Sequence, residues 1–126
     1  MAMTAHIEYT AWDIERCASL SPIVISEIIR GRIGFDGFLM SDDLGMHALK
    51  GGFDARASGV VAAGCDAALH CSGEMAEMLA VASGLGEMPD QSRVRLDRAM
   101  ATTADADPPA SYEDLAAKRD ALLAFA

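Results

Sequence analysis

The stretch Phe38–Asp43, FLMSDD, decides the fold because three large apolar residues run directly into a serine and two carboxylates. The apolar residues predict a short buried strand, Phe38–Met40. The run Ser41–Asp43 then forms the corner at the carboxyl end of that strand. Ligand sites in open and closed α/β sheets lie at the carboxyl ends of the strands. The carboxylates of this corner are therefore the first candidates for chemistry.

Strand-like and helical segments alternate on both sides of this stretch. The further predicted elements are a strand at Met3–Ile7, a helix from a Ser21 cap to Gly31, a helix from an Asp54 cap to Gly64, a strand at Ala67–Leu69 and helices at Glu74–Ser83, Ser92–Thr103 and Tyr112–Phe125. This order indicates an α/β fold with a parallel sheet of βαβ units, followed by two C-terminal helices. Three parallel strands cannot hide their own edges, so we expect further strands beside them.

The chain has about the length of one domain. The segment Asp105–Pro109, DADPP, is expected to interrupt helix formation. We accordingly divide the sequence into residues 1–103, which carry the strand–helix units, and residues 104–126, a linker followed by a C-terminal helix.

The composition limits the classes of function. The 126 residues include 19 acidic and 10 basic side chains, for a formal net charge of −9, which argues against nucleic-acid binding. No run approaches the roughly 18 apolar residues of a membrane span, and no stretch resembles a secretory leader. We therefore expect a cytoplasmic protein without a membrane partner.

The cysteines Cys17, Cys65 and Cys71 are odd in number and have no CxxC spacing. This pattern argues against a disulfide framework and against a structural zinc site. We expect Cys65 and Cys71 to be small core residues in a reducing compartment.

The carboxylates of the corner have two interpretations from the residues alone. An ionised Asp at a strand end can serve as a nucleophile, a general base or a metal ligand. Alternatively, Asp42 or Asp43 caps the turn that begins at Leu44. The local chemistry leaves both interpretations open.

Longer motifs help to decide between these two interpretations of the carboxylates. The stretches Leu20–Pro22 (LSP), Ile28–Gly37 (IIRGRIGFDG) and Met40–Leu44 (MSDDL) resemble glycoside hydrolase family 3. They are most similar to its bacterial β-N-acetylhexosaminidases, which recycle cell-wall amino sugars. The segments Met3–Ile7 (MTAHI) and Ala63–Asp66 (AGCD) fit the same family. The resemblance covers roughly residues 1–100.

The resemblance implies a (β/α)₈ barrel that cleaves terminal β-linked N-acetylglucosamine from a glycan with retention of configuration. Asp42 matches the catalytic nucleophile of the family, and Asp43 would shape the loop by hydrogen bonding. Met46 and His47 follow in the loop and are expected to line the substrate site. The chemistry implies no cofactor and no metal.

The acid/base of the family has no match here. In the family a His–Asp pair on a loop from an earlier strand does this work, near a Lys-His-Phe-Pro-Gly motif that binds the sugar. This sequence has no Lys-His pair, and its lysines are Lys50 and Lys118. The resemblance therefore implies an incomplete barrel, without roughly the first five strands, that is inactive when isolated. His6 and His70 lie at strand ends, but we interpret them as packing residues.

Two alternatives stay open at this level. Asp42 and Asp43 could bind a divalent cation in a metal-dependent α/β enzyme, although no Gly-rich phosphate loop is present. The chain could instead be a non-catalytic assembly piece that associates with itself through exposed strand edges.

Overall fold

The sheet is parallel, as the order of elements predicts. A computed structural model describes residues 1–103 and 110–125. Within these residues the strands β1 (Ala2–Met3), β2 (Leu39–Asp43) and β3 (Ala67–Leu69) form one sheet in the order β1-β2-β3. Both pairings are parallel. The first strand is shorter and earlier than the predicted Met3–Ile7, because its pairing with β2 ends where the Thr4 amide donates to the Met40 carbonyl.

Helical segments connect and follow the strands. They are a 3₁₀ turn (Ala18–Leu20), a π-helix (Val24–Arg32) and the α-helices α1 (Phe53–Ala63), α2 (Met75–Ser83), α3 (Asp90–Ala101) and α4 (Tyr112–Leu123). Helix α1 packs against both α2 and β3. The α/β fold with a small parallel sheet is thus confirmed in its general form.

The helical segment begins at Pro22, as predicted, and continues into the π-helix, but it ends differently. The Ser21 hydroxyl accepts the Val24 amide at 3.1 Å, which is the expected N-terminal cap. The predicted stop at Gly31 is wrong, because Gly31 lies inside the helix and the Ile33 amide still donates to the Ile28 carbonyl. The wider i→i+5 turn replaces the α-helical pattern on which the prediction was based.

The ends of α1 illustrate one wrong and one confirmed prediction. Gly52, not Asp54, precedes the helix as its N-cap, and Asp54 lies in the first turn, where its charge favours the helix dipole. Gly64 ends the helix with a φ of 115°. A Cβ there would lie 2.9 Å from Cγ2 of Ile25, so both conformation and space require glycine.

The C-terminal helices lie near their predicted positions, with α3 starting two residues before Ser92 and α4 ending before Phe125. The predicted breaker Asp105–Pro109 lies outside the described residues. The division into residues 1–103 and 104–126 stays a prediction. None of the described helices is long and apolar enough to cross a membrane.

The hydrophobic core lies between the helices and one face of the sheet. Ala2, Leu39 and Ala68 contribute to it from the three strands. The alternate residues of the strands point to the other face. The buried members of the core are Ile25, Leu39, Leu44, Leu49, Ala57, Val60, Ala63, Cys65 and Val81.

A buried carboxylate joins the sheet to two helices. Oδ2 of Asp66, just before β3, accepts hydrogen bonds from the Arg30 guanidinium and the Leu39 amide, both at 2.8 Å. Its Oδ1 accepts the Ser92 hydroxyl at 2.7 Å and the Arg95 guanidinium at 3.0 Å. The Asp66 side chain is only 2% exposed, and these partners satisfy its charge and its lone pairs.

We predict that Asp66→Asn lowers the free energy of unfolding by about 2–3 kcal/mol, because two arginines lose their buried partner. Urea denaturation measures the change. Asp36→Asn is the matched control, since Asp36 also pairs with Arg95 but is exposed, and exposed pairs contribute little. Equal losses in the two variants would contradict the role assigned to Asp66.

Acid titration gives a second test. Burial raises the pKa of Asp66, but the hydrogen bonds from Ser92, Leu39, Arg95 and Arg30 outweigh it and hold the pKa below 3.8. A lowered folded-state pKa contributes stability that is present above the unfolded pKa of about 3.9 and is lost as pH falls through the folded value. We therefore expect the free energy of unfolding to fall below about pH 4, and this fall to be shallower in Asp66→Asn. An unchanged slope would contradict the prediction.

Candidate active site

The SDD run belongs to β2 and contains a β-bulge. Met40 pairs with Ala67 and Asp43 pairs with Leu69, so β2 has one more residue between these pairs than β3. The prediction that Ser41–Asp43 follows the strand is therefore wrong. The cause is that the pairing with β3 continues past Met40 once the bulge takes up the extra residue.

The Ser41 hydroxyl fills the gap that the bulge leaves in the ladder. Its Oγ accepts the Leu69 amide at 3.0 Å and donates to the Asp42 carbonyl at 2.8 Å. Ser41 is fully buried. A buried amide without an acceptor costs free energy, so this serine is needed by the strand pairing. The sequence carries no signal for the bulge, so the role of Ser41 is visible only in the structure.

Asp42 lies at the carboxyl end of β2 with few partners. It is half-buried, and its Oδ1 accepts the Asp43 amide at 2.9 Å. Among the described residues no basic side chain forms an ion pair with it. A carboxylate held in this way keeps oxygen lone pairs available for a ligand.

The Asp43 carboxylate binds the backbone of two loops. Its Oδ1 accepts the Gly45 amide at 3.0 Å and the Cys71 amide at 3.1 Å. The first contact closes the turn after β2, and the second reaches the segment after β3. This arrangement agrees with the expected loop-shaping role of Asp43.

Two histidines contact Asp43 from the neighbouring strands. Nε2 of His6, after β1, lies 3.0 Å from the Asp43 carbonyl oxygen, and Nδ1 lies 2.9 Å from the Ser19 hydroxyl. Nδ1 of His70, after β3, lies 3.7 Å from Oδ1 of Asp43. The structure therefore brings together the three strand ends that the sequence singles out.

His70 is the more buried of the two histidines. Its side chain is 5% exposed, and Nε2 lies 3.1 Å from Oε2 of Glu77 and 2.8 Å from the Ser72 hydroxyl. Its ring packs against Phe53 with centroids 4.8 Å apart. These contacts link β3 to α1 and α2, as expected of a packing residue.

Arg56 of α1 holds the loop that carries Met46 and His47. Its guanidinium donates to the Leu44 carbonyl at 2.6 Å and to the Gly51 carbonyl at 3.0 Å, near the two ends of the loop. Met46 and His47 are exposed in the middle of the loop. No described contact joins either side chain to Asp42, so their predicted role in substrate binding stays a prediction.

The cysteines divide by environment. Cys65 is buried, and burial raises the pKa of its thiol to about 11. Cys71 is exposed, so its prediction as a core residue is wrong. The reason is that its amide is drawn to Asp43 in the loop after β3, where the chain has already left the core. Within residues 1–103 and 110–125, no three His, Cys, Asp or Glu side chains converge as metal ligands would.

We predict that Ser41→Ala lowers the free energy of unfolding by about 1–2 kcal/mol, because the Leu69 amide loses its buried acceptor. Ser58→Ala in α1 is the matched control, since its exposed hydroxyl bonds only to the Ala55 carbonyl of the same helix. Urea denaturation and hydrogen exchange of the Leu69 amide measure the effect. Wild-type protection of that amide in Ser41→Ala would contradict the role assigned to the hydroxyl.

Known proteins are similar to this chain in sequence. The chain is 39% identical over 89 residues to a beta-hexosaminidase of Tolumonas auensis, which covers 69% of this chain and 26% of that protein. It is 37% identical over 134 aligned positions to a beta-hexosaminidase of Chromobacterium violaceum, which covers 95% of this chain and 37% of that protein. The chain thus spans about a quarter to a third of the length of these relatives.

A solved structure resembles the chain in fold and sequence. The family 3 beta-N-acetylglucosaminidase of Paenibacillus sp. FPU-7 superposes with a TM-score of 0.61 at 28% identity, over 88% of this chain and 24% of that one. Residues 1–101 match the family described as glycosyl hydrolase family 3 N terminal domain. Since this match takes in most of the chain, the chain belongs to glycosyl hydrolase family 3.

Proposed function

We propose that this chain carries the nucleophile of a retaining β-N-acetylhexosaminidase that acts on terminal β-linked N-acetylglucosamine. Membership of glycosyl hydrolase family 3 supports a glycosidase. The names of the curated relatives and of the Paenibacillus structure support the N-acetylhexosamine specificity. The observation that carries the proposal is the Asp42 carboxylate at the carboxyl end of β2, without a cationic partner among the described residues.

Asp42 suits the nucleophilic role chemically. In a retaining glycosidase one carboxylate attacks the anomeric carbon and forms a glycosyl ester, which water then hydrolyses. The hydrogen bond from the Asp43 amide orients one carboxylate oxygen and leaves the other for attack. Because the nucleophile is a carboxylate, the reaction needs neither a cofactor nor a metal ion. Met46 and His47, exposed on the loop that Arg56 holds, would contact the sugar.

The sheet is proposed to be part of a larger (β/α)₈ barrel. β1 lies at one edge, beside an apolar groove of about 290 Å³ whose lining includes Met3, Tyr9, Trp12 and Ile33. These four side chains are 40–68% exposed. Apolar exposure beside a parallel edge strand suits the packing of further strands and helices. In their absence the same edge would favour self-association of the chain.

The acid/base is the missing partner in the described residues. A retaining pair requires a second group about 5–5.5 Å from the nucleophile. Both ring nitrogens of His6 already contact protein groups. His70 is buried against Glu77 and Phe53. We therefore propose that another segment supplies the acid/base and that the isolated chain has no turnover.

The biological setting is also a proposal. An N-acetylglucosamine-containing glycan from cell-wall recycling in the cytoplasm would be the substrate. Cys17, Cys65 and Cys71 are free thiols, which suits a reducing compartment.

Hydrolysis of an aryl N-acetyl-β-glucosaminide tests the proposal. We expect no turnover by the 126-residue chain alone. Turnover should appear when it is co-expressed with the part of the Chromobacterium violaceum relative that lies outside the matching segment. Asp42→Asn should reduce that turnover by about 10⁴-fold, because loss of a nucleophile removes the covalent step.

Asp54→Asn is the matched control, as Asp54 is exposed in the first turn of α1, and this variant should retain turnover. Turnover that is indifferent to Asp42→Asn would contradict the assignment of the nucleophile. Turnover by the isolated chain that is lost in Asp42→Asn would contradict only the proposed inactivity.

A further inference from the structure

A chain of three hydrogen bonds runs from the interior to the backbone beside Asp42. The Thr4 hydroxyl donates to the Ser19 hydroxyl at 2.8 Å. The Ser19 hydroxyl lies 2.9 Å from Nδ1 of His6, and Nε2 of His6 lies 3.0 Å from the Asp43 carbonyl oxygen. Thr4 and Ser19 are buried and His6 is half-buried.

The direction of each bond follows from the groups involved. A carbonyl oxygen carries no proton, so Nε2 of His6 must donate to Asp43. The Ser19 oxygen already accepts from Thr4, which leaves the Ser19 proton to be donated to Nδ1. The whole chain is satisfied by one neutral tautomer of His6, with its proton on Nε2.

The bond from His6 to the Asp43 carbonyl belongs to a set that holds two successive peptide groups. In the peptide that joins Asp42 to Asp43, the carbonyl is bound by Ser41 and the amide by the Asp42 carboxylate. In the next peptide, the Leu44 amide donates to the Leu69 carbonyl, and the Asp43 carbonyl accepts from Nε2 of His6 at 3.0 Å and from the Met46 amide at 3.2 Å. Both carbonyl groups and both amide groups of these two peptides therefore have hydrogen-bond partners.

We propose that His6 is a positioning residue, which fixes the orientation of the Asp42 carboxylate through the Asp43 carbonyl, and that Ser19 holds the ring in place by donating to Nδ1. The inference rests on the proposed function only in taking Asp42 as the nucleophile. With both ring nitrogens engaged, His6 acts through the backbone and does not transfer a proton to substrate.

The tautomer is tested first, by ¹⁵N NMR of the imidazole nitrogens of the full chain at a pH of about 8, where an ordinary imidazole is neutral. We expect a protonated Nε2 and an unprotonated Nδ1 for His6. Any other form of the ring would overturn the proposal. In Ser19→Ala the Asp43 carbonyl still requires the proton on Nε2, so we expect the same tautomer. Transfer of that proton to Nδ1 in this variant would also overturn the proposal.

Two substitutions of His6 test the roles of its two ring nitrogens separately. Glutamine places an amide N–H near the position of Nε2, whereas asparagine reaches only the position of Nδ1. In His6→Asn we expect hydrogen exchange of the Leu44 and Gly45 amides to be about tenfold faster than in the wild type. In His6→Gln the rates should return to within about twofold of the wild type.

The control is His47, the exposed histidine of the same region, whose Gln and Asn variants should leave the Leu44 and Gly45 amides unchanged. Equal exchange in His6→Gln and His6→Asn would overturn the role of Nε2. The tautomer and the exchange rates are measured without turnover. Their outcome is therefore independent of the hexosaminidase assay. If either His6 variant fails to fold, the tautomer of His6 in the wild type still tests the proposal.

Discussion

The Asp66 carboxylate binds three elements at one point, and the relative position of these elements depends on it. Arg30 belongs to the π-helix, Leu39 to β2, and Ser92 and Arg95 to α3. A buried carboxylate is tolerated only when its charge and lone pairs are satisfied. Asp66 therefore fixes where the π-helix and α3 meet the amino end of β3, at the opposite end of the sheet from Asp42.

The two ends of the strands therefore carry different kinds of polar groups. The amino end of β3 carries an ionic network whose members face the protein. The carboxyl ends carry groups such as Asp42, whose carboxylate has a single described backbone partner. In α/β folds ligand sites lie at the carboxyl ends of the strands, which is the end that carries the proposed nucleophile.

Much of the fold was accessible from the sequence because its signals are local. The runs Leu39–Met40 and Ala67–Leu69, and the glycine after α1, predict parallel strands and a helix end that the structure confirms. The bulge at Ser41 was not accessible, because it is defined only by the register with β3. The π-helix was missed for a similar reason, since i→i+5 bonding is rare and no residue type in Val24–Arg32 signals it.

The polar residues that gather at the strand ends were predictable from the sequence, but their contacts were not. Asp42, Asp43, His6 and His70 follow from the rule that sites lie at strand ends. That His6 binds the carbonyl of Asp43, and not a carboxylate, depends on the distance between two strands. The role of Asp66 was hidden for the same reason, because its partners are 26–36 residues away in the sequence.

The contacts of Asp43 also set an order of events during synthesis. His6 precedes Asp43 by 37 residues, and Cys71 follows it by 28. A ribosome that has released β2 has therefore made the Asp42 side chain but not the backbone that completes its surroundings. The Asp43 contacts around the candidate nucleophile are thus complete only when the chain as far as Cys71 is available. The Asp66 contacts at the other end of the sheet are completed later still, because they need Ser92 and Arg95 of α3.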